Sequence, residues 1–240
     1  MLAAKKIIFR LMVFLLGFIL AIFAYAMSNP DTAVCSLIKL MPVEEINHGA
    51  LIEGSMSQNQ RLALSELIPQ AKARIRDSFG APLGRPIIAF FNDPQYFWPL
   101  KINPYGSAVS LPGRTCVIIG PQGQNIDVLA HELVHAEVFQ RLGWWKSFTE
   151  LPVWFNEGLA MQVDRRSQYL LLSSDNHDTQ AVRKLVNRDF FSPDDNVLTW
   201  RYKAAKAEVS AWINKAGYDE VYPLLERIQT GESFDELIKW

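Results

Sequence analysis

Two histidines one helical turn apart, His131 and His135, restrict the fold of this 240-residue chain more than any other feature. In the run His131-Glu132-Leu133-Val134-His135, the i, i+4 spacing turns both imidazoles to one face of a helix, close enough to share one ion. The surrounding residues favour that helix. Ile126, Leu129, Leu133, Val134 and Val138 recur at helical spacing over 126–142, Asn125 suits an N-cap, and Gly143 stands just past the end. A fold that accommodates this helix must also bring a further ligand to its histidine face.

The segment Trp154-Phe155-Asn156-Glu157-Gly158-Leu159-Ala160 offers one. Pro152 suits the start of a second helix over 153–164. Gly158 costs helix propensity unless another backbone comes close, and a small residue there would let this helix pack against the first. A catalytic zinc site takes three protein ligands and leaves a position for water, so His131, His135 and Glu157 read as ligands of Zn2+. Glu132 then reads as the general base for the water. Taken alone, Glu157 is an ordinary helix carboxylate and the histidines are hydrogen-bonding residues of an amphipathic helix. The chain has four histidines and thirteen glutamates, so chance seldom assembles this pattern inside a suitable helix.

These two segments resemble the gluzincin metallopeptidases, most closely the compact Peptidase MA-like proteins. The resemblance runs from about Leu62 to the C-terminus, with the two metal-binding segments as its specific part. It implies a zincin-like α+β domain, zinc held by His131, His135 and Glu157, Glu132 as catalytic base, and a peptide or protein substrate. It also implies an oxyanion donor, for which Tyr202 is the candidate because a tyrosine in a similar segment serves related gluzincins; a core tyrosine with a surface hydroxyl is the competing reading. His177, in the polar stretch 173–178, is a weaker donor candidate, and His48 carries less signal still. The 21 residues between His135 and Glu157 make a slightly longer separation than in thermolysin-like enzymes. Those enzymes place an aspartate four residues after the ligand glutamate, where this chain has Met161, so the residue that orients a histidine is unassigned.

The N-terminus reads as an export element. Lys5, Lys6 and Arg10 precede an apolar run, and Ala24-Tyr25-Ala26 has the small-x-small form of a cleavage site. Residues 11–27 also reach the lower limit for crossing a bilayer, so 1–27 is a signal peptide or a signal anchor. Either one sends the remainder out of the cytoplasm, to the periplasm or another extracytoplasmic space, and an anchor would leave the N-terminus inside. A net charge of −1 gives no argument for nucleic acid as a partner. Cys35 and Cys116 permit one disulfide in an exported protein, and a buried free thiol at Cys116 is equally natural.

The expected organisation is a linker or N-terminal segment over 28–56 and a single domain over 57–240, with a small mixed sheet followed by a mainly helical half. Residues 57–78 read as a helix kinked by Pro69 and ended by Gly80; 85–91, 106–111 and 114–119 read as strands, the last two a hairpin around Pro112-Gly113. Helical segments are expected over 178–188, 199–216 and 218–230. Strands 106–111 and 114–119 are both candidate edges for an extended peptide. Trp144, Trp145, Phe148 and Trp154 are core or lid residues, or else line a pocket or touch a membrane. Two other functions fit the same motifs: a non-catalytic zinc-binding envelope interaction domain, and a zinc amidase acting on cell-wall peptides.

Overall fold

Five short strands and a set of helices make an α+β fold in the computed structural model, which describes residues 2–171 and 179–238. The strands are β1 (Val43–Ile46), β2 (Ala50–Glu53), β3 (Ile87–Phe90), β4 (Gly106–Leu111) and β5 (Arg114–Ile119), in spatial order β1-β2-β3-β5-β4. β2, β3 and β5 run parallel, while β1 and β4 flank them antiparallel. The β4–β5 hairpin has the boundaries its sequence predicts, turning at Pro112-Gly113 with Gly113 at φ 74°. β5, however, is an interior strand paired on both sides, so of the two candidate edges only β4 remains one.

Side chains that alternate along the strands serve two cores. On one face, Ile88, Phe90, Val117 and Ile119 pack with Val128, Leu129 and Leu133 of α4 (Ile126–Thr149) and with Leu64, Ile68 and Ile75 of α3 (Gln58–Phe79). On the other, Ala89, Cys116 and Ile118 meet Val34 and Cys35 of α2 (Pro30–Leu37). Burying each large apolar side chain in such a core contributes about 1.5–3 kcal/mol. α3 begins at a capping box in which Ser57 and Gln60 bond reciprocally, and Gly80 ends it at φ 95°. Pro69 lies inside this one continuous helix.

α2 does not belong to a linker. The segment 28–56 supplies α2, β1 and β2, and Cys35 forms a disulfide with Cys116 of β5. The sheet therefore includes strands from before residue 57, two four-residue segments that pair through distant partners and leave little local pattern. Before α2, helix α1 (Leu2–Ser28) runs unbroken through Ala24-Tyr25-Ala26. Its part Arg10–Ser28 is apolar and long enough to cross a membrane, and residues 11–25 are exposed rather than packed on the domain.

Further helices complete the surroundings of the histidine helix. α5 (Val153–Val163) packs against both α4 and α7 (Asp195–Ala216). After them come α8 (Val221–Thr230), against α4, and the short α9 (Phe234–Leu237). The helix expected over 178–188 is, from Thr179, a 3-10 segment to Lys184 followed by the single-turn α6 (Asn187–Phe190). His177 lies outside the described residues.

Candidate metal centre

α4 starts where the sequence expects it. The Asn125 side chain accepts hydrogen bonds from the backbone N–H groups of Asp127 and Val128 at 3.1 and 3.0 Å, fixing the first turn. The helix is interrupted at Gly143 (φ 78°), beyond which a last turn runs to Thr149. His131 and His135 lie in the intact part, one turn apart, and their Nε2 atoms approach to 3.1 Å.

Glu157 comes to the same point from α5. Its Oε2 is 3.4 Å from each histidine Nε2. This buried group of three could hold a metal ion. The reason α5 can lie where it does differs from expectation. Gly158 faces α7 rather than α4: a Cβ there would meet Ala205 O at 2.5 Å and Val209 Cγ2 at 2.4 Å. The glycine admits close packing of α7 on the far side of α5, while Glu157 points back at the histidines.

The outer nitrogens of the two imidazoles face oxygen atoms. His135 Nδ1 is 3.0 Å from Asn156 Oδ1, and His131 Nδ1 is 3.6 Å from Asp164 Oδ2, an ionic contact rather than a hydrogen bond. Each oxygen favours a proton on Nδ1, which leaves the Nε2 lone pair turned inward. Two lone pairs and a carboxylate oxygen then meet across 3.1–3.4 Å, an arrangement that calls for a cation or for extra protons. Glu157 Oε2 is buried with no hydrogen-bond partner among the described residues, as such a point of convergence implies.

Asp164 is the partner that sequence reasoning did not assign. It caps the C-terminal end of α5, seven residues after Glu157, and so occupies the same helix face as the expected position but one turn later. Met161, in the expected position, is buried in the core. Arg166 grips the Asp164 carboxylate through Nε and Nη2 at 3.0 and 2.6 Å, Arg166 N–H donates to Asp164 Oδ1 at 3.0 Å, and Lys206 Nζ donates to the Asp164 backbone oxygen at 2.9 Å. The pattern Asp164-Arg165-Arg166 at a helix end was the available signal; what it could not disclose was which histidine lay opposite.

Charge follows this geometry. Burial opposes charging His131, but the carboxylates of Asp164, Glu157 and Glu132 outweigh it and raise its pKa to about 10. His135 is raised too, against its burial, mainly by Glu157. Burial likewise works against the Glu157 carboxylate, yet His135 and His131 hold it down to about 2. Asp164 is held below the usual carboxylate range because His131 and Arg166 outweigh its burial. Glu132 goes the other way: burial pushes its pKa up, only partly offset by the two histidines.

Glu132 sits against the first residue of β4. A Cβ on Gly106 would lie 2.9 Å from Glu132 Cγ and 3.2 Å from Oε1, so the glycine leaves room for this carboxylate. The Tyr202 ring, from α7, lies edge-on to His131 with centroids 6.2 Å apart, among Tyr169 and Phe190. Burial and the charges of Glu157 and Glu132 push its pKa up, so the phenol keeps its proton. Tyr202 therefore packs against the core and borders the histidines. His48 is exposed in the turn between β1 and β2. Of the four aromatics between the motifs, Trp154 is core, while Trp144, Trp145 and Phe148 are exposed.

No family model, no curated protein and no solved structure matches this chain at a significant level.

Proposed function

We propose that this chain is a zinc-dependent metallopeptidase of the gluzincin type, exported and held at the membrane by its N-terminal helix. The observation that carries the reading is the triangle of donor atoms, with edges of 3.1, 3.4 and 3.4 Å. Ligand atoms bound tetrahedrally to zinc at about 2.0–2.1 Å stand roughly 3.3 Å apart, which matches that triangle to within a few tenths of an ångström. Two imidazoles and one carboxylate are also a donor set that zinc hydrolases use.

A zinc ion held by His131, His135 and Glu157 would supply the positive charge that polarises a substrate carbonyl and acidifies an adjacent water. The remaining steps belong to the side chains. Glu132 takes a proton from the attacking water as its oxygen bonds to the carbonyl carbon. The C–N bond then breaks, and Glu132 returns the proton to the leaving amine. Burial of Glu132 raises its basicity toward the range useful for both transfers. The Tyr202 phenol, which keeps its proton, donates to the developing oxyanion. Asp164 and Asn156 hold the imidazoles in the tautomer that turns Nε2 inward. β4 is an edge strand among the described residues, its first residue Gly106 lies against Glu132, and its edge suits a substrate strand running antiparallel to it.

The intact base favours this function over a binding-only domain, which would need the three ligands but not Glu132. Whether the amide lies in a protein or in a cell-wall peptide is a choice of substrate within the same chemistry. Hydrolysis of a mixed peptide library by the full chain, compared with Glu132→Gln, tests the proposal. The variant should retain its metal and lose activity by about 10²–10⁴-fold. Equal activity in the two proteins, with metal content verified, would refute Glu132 as the base.

A further inference from the structure

The end of the sheet that carries the hydrolytic residues is also the end at which the N-terminal helix joins the domain. β2, β3 and β5 all run toward this end, and β4 starts there. Gly106, against Glu132, pairs with Ile119, the last residue of β5. Three residues before Gly106, the Asn103 backbone N–H donates to Asp31 Oδ1 at 3.2 Å. Asp31 belongs to the first turn of α2, three residues after Ser28, where α1 ends. Asp31 is half-buried, and burial raises its pKa, partly offset by hydrogen bonds from Ser107 and Asn103. α2 then descends the opposite face of the sheet, and the Cys35–Cys116 disulfide pins it there.

Chain lengths turn these contacts into a distance limit. Three residues span at most about 10 Å, so neither Ser28 to Asp31 nor Asn103 to Gly106 can separate further than that. The hairpin turn at Pro112-Gly113 lies a further 20 Å away, roughly the length of β4. Arg10–Ser28 spans about 28 Å as a helix, close to the thickness of the apolar bilayer core, so with α1 as an anchor Ser28 would lie at the membrane surface.

The surface at this end fits a bilayer interface. Trp98 is 82% exposed, in the loop that follows β3 and is closed by Ile102 N–H donating to Pro94 O. Tyr105, next to Gly106, is 49% exposed, and exposed Lys101 lies between them in sequence. Exposed tryptophan, tyrosine and lysine are the residues that sit well among lipid headgroups. Trp144, Trp145 and Phe148 form a second exposed aromatic group, beyond Gly143 and next to the hairpin turn. An inverted domain would turn them to the lipid, but the short connection through Asp31 opposes that placement.

We infer that the metal site works beside the bilayer, with Trp98, Lys101 and Tyr105 at the headgroups, and that its substrates are polypeptide segments close to the surface of the same membrane. The inference rests on the peptidase reading and on α1 acting as an anchor. Reconstitution of the full chain in phosphatidylcholine–phosphatidylglycerol vesicles tests it, with a fluorophore on an introduced cysteine in Lys101→Cys or Pro112→Cys and nitroxides at headgroup depth. The native cysteines are bonded to each other and do not take the label. Quenching should be several-fold stronger at position 101 than at 112. Equal quenching, or stronger quenching at 112, overturns the inference and leaves the peptidase reading standing. Failure of the intact chain to float with vesicles overturns the anchor and the inference together.

The second arm offers short random-sequence quenched peptides to the vesicle-bound protein, free or carried on an acyl chain in the same vesicles, with Glu132→Gln as the blank. Cleavage of the acyl-anchored form should be at least about tenfold faster, because confinement to the surface raises its effective concentration at the site; the same peptides on separate vesicles should lose that advantage. Preference for the free peptide overturns the substrate class alone. No cleavage of either form overturns the peptidase reading and this inference with it.

Discussion

Replacing Asp164 with asparagine should weaken zinc binding by about 10–100-fold while leaving all three ligands in place. The carboxylate is fully buried, faces His131 Nδ1 at 3.6 Å, and is clamped by Arg166, so it both orients the ring and polarises its N–H. That loss amounts to about 1.4–2.7 kcal/mol of binding free energy. Protons complicate the measurement in a useful way. With no metal bound, His131 has its pKa raised to about 10, chiefly by Asp164 once burial is overcome. Zinc must displace that proton at pH 7, at a cost of about 4 kcal/mol, since each pKa unit is worth about 1.4 kcal/mol. Asparagine removes the charge that favours the proton as well as the charge that favours the metal. Wild-type affinity should therefore keep climbing with pH up to about 10, while the variant levels off sooner. The penalty should be largest at high pH and shrink toward neutrality. Competition against a chelator of known affinity, from pH 6.5 to 10, measures both curves. Equal dissociation constants at every pH would refute the role of Asp164 in orienting His131. A parallel Asn156→Ala protein should lose less, about tenfold, because a neutral amide replaces the carboxylate at His135.

Without metal, His131 titrates higher folded (about 10) than unfolded (6.5), so its stabilisation is complete below pH 6.5 and disappears as pH rises to 10. Glu157 is lowered from 4.5 to about 2, so its share is present above pH 4.5 and is lost as pH falls through 2. Thermal melts in chelator should therefore peak between about pH 4.5 and 6.5, and zinc should extend the plateau to higher pH; a chelated protein no less stable at pH 9 than at pH 6 would contradict this. Gly106→Ala should displace the Glu132 carboxylate and cut kcat at least about tenfold with zinc retained, since its Cβ would lie 2.9 Å from Glu132 Cγ; unchanged kcat would show that the strand yields. Tyr202→Phe should lower kcat by about 10²–10³-fold, the usual cost of one lost oxyanion donor, with little change in metal affinity; normal kcat would reduce Tyr202 to its packing role beside His131.

What the sequence disclosed was what a single element can encode. The histidine helix and its Asn125 cap, the boundary glycine at 143 and the β4–β5 hairpin each carry their own periodicity or turn chemistry, and the structure builds them where expected. What it withheld depends on pairing between distant segments. β1 and β2 contain only four residues each, and β1 presents Glu44 and Glu45, so they read as linker until β2 pairs with β3. Gly158 announced a close approach but not its source, which is α7 rather than α4. Asp164 was hidden because its role rests on the relative placement of α4 and α5, not on spacing within either. Cys35 and Cys116 are 81 residues apart, and only the packing of α2 on β5 brings them together.

Metal analysis of the purified full chain, joined to X-ray absorption at the zinc edge, tests the central claim most directly. The account predicts about one zinc per chain in a shell of nitrogen and oxygen donors, with two imidazole signatures and no sulfur; occupancy should collapse in His131→Ala and His135→Ala and fall sharply in Glu157→Ala. A chain with no stoichiometric metal, or zinc that persists at wild-type affinity in those three variants, would contradict it.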